Sequence, residues 1–487
     1  MPRPRRTFRA STAARVLALF TCAGVASAAA NPNFGPVPLD EPHDGFTVVR
    51  ARLNSTRDAR LVESLARDRW SCGAGARREA DFEIRRTDLS LLDAGGIRYQ
   101  IVVPDVGELL RADEASRVGV FQDRGFFDEF QDYAGISGYV NSLVSAYPAF
   151  ARRASLGLSL QSREIFALRL TSPVPAIGAS PRKPVVVITS LQHAREWITP
   201  MGTLFTATRM LETYESDSRV RAALDRFEIV FVPMCNPDGY AMTWGGSRLW
   251  RKNARASTTG VGSIFGVDNN RNWSVGWGLN SGSSSSTGSE EYRGTAAFSE
   301  PENQVIANYA LLTPKVVAWL DVHSYAAKAL RTWAYQNALP PGLPTFDRIG
   351  HAMVDSIFSV SGITYQYGGP EILYLASGTA PDWAYGTFNA PAFTIELNSP
   401  SGGFVPPASS IISSGNEAAA AILAFVGSLC PADFNLDGAV DDADFQLFVG
   451  PYDALLDNAC DLTGDGLTDD ADFGLFVAAY DTLACPG

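Results

Sequence analysis

Histidine is the scarcest chemistry-bearing residue in this chain: among 487 residues only His43, His193, His323 and His351 are histidine. A site that needs two imidazoles therefore has few ways to be assembled. Cysteine is nearly as sparse, at six, which excludes a scaffold built on disulfides. Excess positive charge is also missing: 40 Lys and Arg stand against 52 Asp and Glu, a net charge of −12. That balance excludes a nucleic-acid footprint, which needs clustered Lys and Arg. From Cys430 to Gly487 there is no Lys or Arg at all, against 13 aspartates. The acidity belongs to that module, and the rest of the chain is close to neutral. Long apolar runs are lacking too. Val16–Val25 is too short for a bilayer span, which takes about 20 residues.

What is present describes a folded chain. Apolar residues make up 46% and charged residues 19%, and the length allows about three domains at roughly 100–200 residues each. The start reads as a signal peptide over residues 1–28. Arg3, Arg5, Arg6, Arg9 and Arg15 precede the apolar run, and Ala26-Ser27-Ala28 supplies small residues for cleavage. The mature protein is therefore expected to be secreted, with no membrane span left. Cys22 leaves with the signal, and Cys72, Cys235, Cys430, Cys460 and Cys485 remain. That number is odd. Cys235, in an apolar strand, is the expected buried thiol, and a bridge is expected among the last three.

Residues 31–124 alternate strand-like runs (Phe46–Ala51, Ala80–Arg85, Tyr99–Val103) with short helical ones (Asp58–Arg67, Asp88–Ala94). This predicts a small α+β unit, with Arg117 and Arg124 in a polar linker beyond it. Residues 126–427 carry near-continuous apolar strands at Pro184–Thr189, Phe227–Val232, Val316–Leu320 and Ala392–Leu397. Helical stretches lie between them, one predicted from an N-cap at Thr199 to Tyr214. Such a pattern predicts an α/β sheet covered on both faces. Ser281–Ser289 reads as an exposed loop.

His193-Ala194-Arg195-Glu196 follows one of these strands. Three-residue spacing puts an imidazole and a carboxylate on one side of a turn. Those are two of the three protein ligands that a catalytic zinc takes. His323 lies just beyond another strand, where α/β sheets gather catalytic groups, and supplies a third. His43 and His351 have no motif around them.

On these residues the resemblance becomes specific. Gln192–Thr199 resembles the first zinc motif of the metallocarboxypeptidases of the A and B type. Asn236–Tyr240, Arg248–Lys252, Val267–Trp273, His323-Ser324-Tyr325, Tyr374 with Ala376-Ser377-Gly378 and Asp382-Trp383, Phe393–Leu397 and Gly403-Phe404 follow in that family's order. The resemblance implies a central mixed sheet flanked by helices and a zinc-dependent carboxypeptidase. His193, Glu196 and His323 would bind zinc and leave a position for water. Glu396 would be the general base and Arg251 the oxyanion stabiliser. Asn270 and Arg271 would hold the substrate's terminal carboxylate, Tyr374 would close over it, Arg195 would assist along the peptide and Phe404 would line a subsite. Asp268 is a candidate partner for His193.

A buried Arg271 facing a neutral internal peptide would stay unpaired, so a free C-terminus is expected on the peptide or protein substrate. Members that prefer Lys or Arg carry an acid after the Tyr-x-Ala-Ser-Gly motif. Here Thr379-Ala380-Pro381 has none, which favours apolar or aromatic C-terminal residues, although Glu371 is nearby. The N-terminal unit stands where the family carries an activation propeptide, removed by a cut near Arg117 or Arg124. The module at 430–487 contains a duplication with an offset of 28 residues. Asp433, Asn435, Asp437, Asp441 and Asp444 match Asp461, Thr463, Asp465, Asp469 and Asp472, with Gly438 and Gly466 at the sharp turn. This is calcium-loop spacing. The pair resembles a dockerin-type repeat, which implies a cohesin-like partner or a cell surface; its position 12 is Asp rather than Glu. Two other readings stay open at this level: a peptidase of cell-wall peptides, and a non-catalytic secreted binding protein on the same fold.

Overall fold

The computed structural model describes residues 43–71, 78–117, 125–174, 183–256, 264–313, 315–399, 401–435, 439–455, 460–462 and 467–480. The signal peptide, Arg124, Cys72, Cys485, Asp437, Thr463 and Asp465 lie outside them.

The N-terminal unit is a four-stranded antiparallel sheet with helices. Strands β1 (Phe46–Leu53), β2 (Ala66–Arg69), β3 (Arg78–Arg85) and β4 (Arg98–Val103) pair in the order β2-β3-β1-β4. Helix α1 (Thr56–Leu65) starts where Ser55 Oγ accepts the Asp58 N–H, which satisfies a donor the helix itself leaves open. With α2 (Leu89–Ala94) it covers a core of Val49, Leu53, Val62, Phe82, Ile84 and Leu92. The stretch expected to be a linker is instead helix α3 (Val106–Arg117), and Arg117 sits in its last turn. Asp105 Oδ1 caps it by accepting the Glu108 N–H at 2.9 Å.

The large unit is built on an eight-stranded mixed sheet. Its strands are β5 (Ala151–Leu158), β6 (Glu164–Leu170), β7 (Val185–Ser190), β8 (Glu228–Val232), β9 (Val316–Ser324), β10 (Lys328–Arg331), β11 (Gln366–Gly368) and β12 (Ala392–Leu397). They run β11-β10-β12-β9-β7-β8-β6-β5. The continuous apolar runs are the central parallel strands β12, β9, β7 and β8, buried on both faces. The flanking β5, β6 and β10 pair antiparallel; β5 and β10 lack such runs, whereas β6 buries Ile165, Phe166, Ala167 and Leu168.

Helix α4 (Tyr133–Ala146) precedes the sheet in the chain. Helices α5 (Ile198–Thr213), α6 (Ser218–Arg226), α7 (Pro237–Trp244), α8 (Pro301–Leu312), α9 (Leu343–Ser361), α10 (Ala380–Phe388) and α11 (Ile411–Gly427) are set among and after its strands. Helix α5 begins at Ile198 rather than after Thr199. The Thr199 hydroxyl instead donates to the Glu196 carbonyl and accepts from the Leu191 N–H, tying the turn before the helix together. With the short turn before it, α11 forms an apolar helical stretch, Ala408–Gly427, long enough by composition to cross a membrane. Ile411, Ala418, Ile422 and Phe425 bury it in the main core.

The two units share a second apolar cluster. Phe46, Val48, Trp70, Val103 and Val106 of the N-terminal unit pack with Leu249, Tyr325, Phe404 and Val405. The tail has its own core, with Phe434, Phe448 and Phe476 between α12 (Asp442–Ala454) and α13 (Asp470–Tyr480). Cys235 is a free buried thiol, and Cys430 is disulfide-bonded.

Candidate active site

Strand β7 is buried along its whole length. Just past its end Leu191 adopts φ 57°, turning the chain so that His193 and Glu196 fall on one turn ahead of α5. His193 Nδ1 lies 2.7 Å from Glu196 Oε1. Strand β9 runs parallel to β7, with Ser190 beside Val322, so His323 arrives at the same carboxyl edge from within the strand. Its Nδ1 is 3.0 Å from Glu196 Oε2 and 3.1 Å from His193 Nδ1. All three side chains are buried, and their ligand atoms lie within 4.8 Å of one another.

Each imidazole turns its other nitrogen toward a buried carboxylate. His193 Nε2 is 3.1 Å from Asp268 Oδ1, and His323 Nε2 is 2.8 Å from Asp321 Oδ2. An ionised carboxylate only accepts, so it takes the Nε2–H and leaves a lone pair on Nδ1. Two lone pairs facing each other at 3.1 Å repel unless a cation or a proton lies between them. A tetrahedral zinc about 2.0–2.1 Å from each nitrogen sets such atoms roughly 3.3 Å apart. The donor set fits zinc.

The charges of the site point the same way. Burial opposes a charge on Glu196, yet His193 and His323 hold its carboxyl far below the ordinary range. Burial also opposes a charge on His323, but Asp321 and Glu196 raise its pKa well above the ordinary value. At Asp268 burial is outweighed by Arg251 and His193, and the carboxyl stays ionised. A pocket that draws a proton onto a buried imidazole draws a divalent cation in its place.

The neighbouring groups gather around this triad. Glu396 pairs in register with His323 across β12 and β9, and burial pushes its pKa up to about 7. Arg251 donates from Nη2 and Nε to Asp268 Oδ2, at 2.8 and 3.2 Å. Asn270 Nδ2 lies 3.0 Å from His323 Nε2, and its Oδ1 accepts the Ala380 N–H. Arg271 Nη2 donates to Tyr374 Oη at 3.2 Å, its Nη1 bonds the Asn270 carbonyl, and its buried Nε has no partner. A cleft of about 40 Å³ is lined by His193, His323, Asn270, Arg271, Tyr374 and Glu396 among others. A larger cavity of about 680 Å³ along α3 contains none of these groups.

Arg195 and Phe404 lie elsewhere, against the N-terminal unit. Arg195 Nη1 donates to Asp68 Oδ2 at 2.7 Å and its Nη2 to the Arg69 carbonyl at 3.2 Å. The guanidinium lies 4.1 Å from the centre of the Phe404 ring, which faces Trp70 at 5.8 Å. Neither residue lines the cleft.

Two features escaped the sequence. Asp321 is one: Thr189 Oγ1 and Gln192 Nε2 fix it at 2.7 and 2.6 Å, and it orients His323. Its signal was an acid two residues before a candidate ligand in a strand, which puts both on one face. Asp68 and Trp70, which cover Arg195 and Phe404, had no local signal at all. Among the described residues the zinc triad is the cluster whose ligand atoms converge. The described tail candidates Asp433, Asn435, Asp441, Asp444, Asp461, Asp469 and Asp472 form no second one. Asp444 accepts the N–H groups of Phe434, Asn435 and Asp441, and Asp472 accepts that of Asp469.

With the geometry in view, the likenesses are informative. A family model described as zinc carboxypeptidase matches residues 136–421. Carboxypeptidase A1 of Rattus norvegicus is 30% identical over 385 residues, covering 77% of this chain and 90% of that protein. Carboxypeptidase B of Bos taurus is 29% identical over 386 residues, covering 76% and 90%. The crystal structure of the carboxypeptidase A from Helicoverpa armigera superposes with a TM-score of 0.68 at 28% identity, covering 80% of this chain and 98% of that one.

Proposed function

The chain belongs to the zinc carboxypeptidase family, and from that premise we propose that it is a secreted exopeptidase that releases apolar or aromatic residues from free C-termini. It is a metallocarboxypeptidase, and its peptide substrates are those with a free C-terminus. One observation carries the exopeptidase reading: Arg271 is buried in the catalytic cleft without a carboxylate partner among the described residues. A planar guanidinium in that state is matched by a substrate carboxylate and left uncompensated by an internal peptide.

Bound zinc would supply a Lewis acid that polarises the scissile carbonyl and acidifies a water molecule. Glu396 takes a proton from the attacking water and hands it to the leaving amine. Its raised pKa keeps it basic enough for the first step and acidic enough for the second. Arg251 is held by Asp268 at the triad's flank and balances the negative charge that develops on the carbonyl oxygen. Asn270 and Arg271 anchor the terminal carboxylate, and Tyr374 covers it. Matched peptides with free and amidated C-termini test the assignment. Hydrolysis is expected of the free peptide alone, and equal rates would overturn it.

The N-terminal unit acts as an activation segment. Asp68 occupies Arg195, Trp70 packs on Phe404, and the Tyr325 hydroxyl donates to Asp81 at 2.9 Å. The alignment with carboxypeptidase A1 is also longer than the family match, consistent with a shared N-terminal segment. Arg117 lies in α3 with its guanidinium over Trp197 and Trp244, a poor protease site, which favours a cut at Arg124. N-terminal sequencing of the active form tests this.

The tail's duplicated acids and capped helices support two calcium loops that attach the enzyme to a cohesin-like partner or a cell surface. Pull-down with and without calcium tests that attachment.

A further inference from the structure

The cleft wall carries a charge that hydrolysis does not use. Arg331 ends β10 and lines the cleft beside Gly369 and Thr394, with its side chain only 8% exposed. Its Nη2 donates to Glu371 Oε1 at 2.9 Å, and the same oxygen accepts the Gly369 N–H at 2.6 Å. No other acceptor among the described residues is bonded to this guanidinium. Gly369 makes the arrangement possible: a Cβ there would lie 2.1 Å from Arg331 Nη1 and 2.8 Å from Glu371 Oε2. Arg331 is laid over bare backbone in the wall of the cleft, and the half-exposed Glu371, outside that lining, pairs with it. Asp382, an acid that does line the cleft, accepts the backbone N–H groups of Ala334 and Tyr335 at 2.9 to 3.1 Å.

We propose that the Arg331–Glu371 ion pair determines which C-terminal side chain the cleft accepts. While paired, the two charges cancel. A lysine or arginine entering the cleft then finds the Glu371 carboxylate bound to Arg331, and a glutamate finds the guanidinium held by Glu371. Either ion would lose its hydration without a partner, so uncharged side chains are favoured. Removing one member leaves the charge of the other uncancelled, with the opposite preference. The inference rests on the carboxypeptidase reading and adds the residues that tune it.

The test compares kcat/KM for N-blocked dipeptides ending in Phe, Leu, Lys and Glu. The full chain is used, zinc-loaded and activated by limited proteolysis, as wild type, Glu371→Gln and Arg331→Leu. In Glu371→Gln the ratio of Glu-ended to Phe-ended turnover is expected to rise about tenfold or more. In Arg331→Leu the Lys-to-Phe ratio is expected to rise by a similar factor. Zinc content and melting temperature are measured alongside. If Arg331→Leu loses zinc or melts early, the exposed-side variant Glu371→Gln decides alone. Ratios unchanged in a folded, zinc-loaded Glu371→Gln overturn the assignment. A wild-type enzyme that binds zinc and cleaves none of the four peptides would instead sink the carboxypeptidase reading beneath it.

Discussion

Glu396 sits on a strand one step across from His323, and its acidity follows from where the strand is buried. Burial raises its pKa to about 7, and a base must be ionised to accept a proton. The rate therefore falls as pH drops through that value, by about tenfold per unit once the carboxyl is mostly protonated. A cation beside it favours the ionised form and moves the limb to lower pH. A kcat/KM profile from acid to neutral pH should show this single limb, and Glu396→Gln should remove turnover while retaining zinc. An acid limb far above pH 7, or activity left in Glu396→Gln, would assign the proton transfer to another group. The two carboxylates behind the imidazoles lend themselves to a separate measurement. Asp268→Asn and Asp321→Asn should each weaken zinc about 10–100-fold in competition with a chelator. The convergence of His193 and Glu196 was legible because His-x-x-Glu spacing carries its own geometry. Asp268 was legible only through its motif, and Asp321 was missed because its partner is its neighbour on the same strand face.

At the scale of elements, the contact between β2 and the turn before α5 is where the proposed activation segment would hold the catalytic unit. Arg195 is 1% exposed and Asp68 18%, so this ion pair is better shielded than a surface one. Asp68→Ala should raise the activity of the uncleaved protein about tenfold, as a closed population gives way to an open one. The cleaved enzyme lacks Asp68 and should be unaffected. Stopped assays before and after proteolysis compare the two, and an uncleaved variant as silent as wild type would refute the latch. The central strands were readable from their unbroken apolar runs. The partly buried β5 and β10 and the three-residue β11 were not, because strands of that kind need no such run. Helix α3 was misread as linker because Glu108, Arg111, Asp113, Glu114 and Arg117 make it look solvated. Its cap at Asp105 is local, but the burial of Val106 comes from docking on the catalytic unit.

Across the whole molecule, the charge asymmetry of the sequence marks off the tail. How the tail sits was not visible. It rests on isolated side chains: Thr345 Oγ1 donates to Asp433 Oδ2 at 2.7 Å, and Lys315 bonds the Asp461 carbonyl. No sequence pattern announces such pairs. Asp433 and Asp461 are the first positions of the two candidate calcium loops, so the ion sites and the docking contacts share residues. Calcium bound only by the folded tail stabilises it by an amount that grows with the logarithm of free calcium, about 2.7 kcal/mol at a hundredfold excess over the dissociation constant. It also relieves repulsion among aspartates that have no Lys or Arg beside them in sequence. Titrating calcium into decalcified, zinc-loaded protein should therefore raise the melting temperature of the tail's transition in calorimetry. Peptide hydrolysis should not change, because the zinc triad and the loops share no ligand. Asp444→Ala and Asp472→Ala should each remove about half of the calcium uptake. A tail transition indifferent to calcium would mean that these aspartates serve only as helix caps, the role that Asp441 and Asp444 already fill at the start of α12.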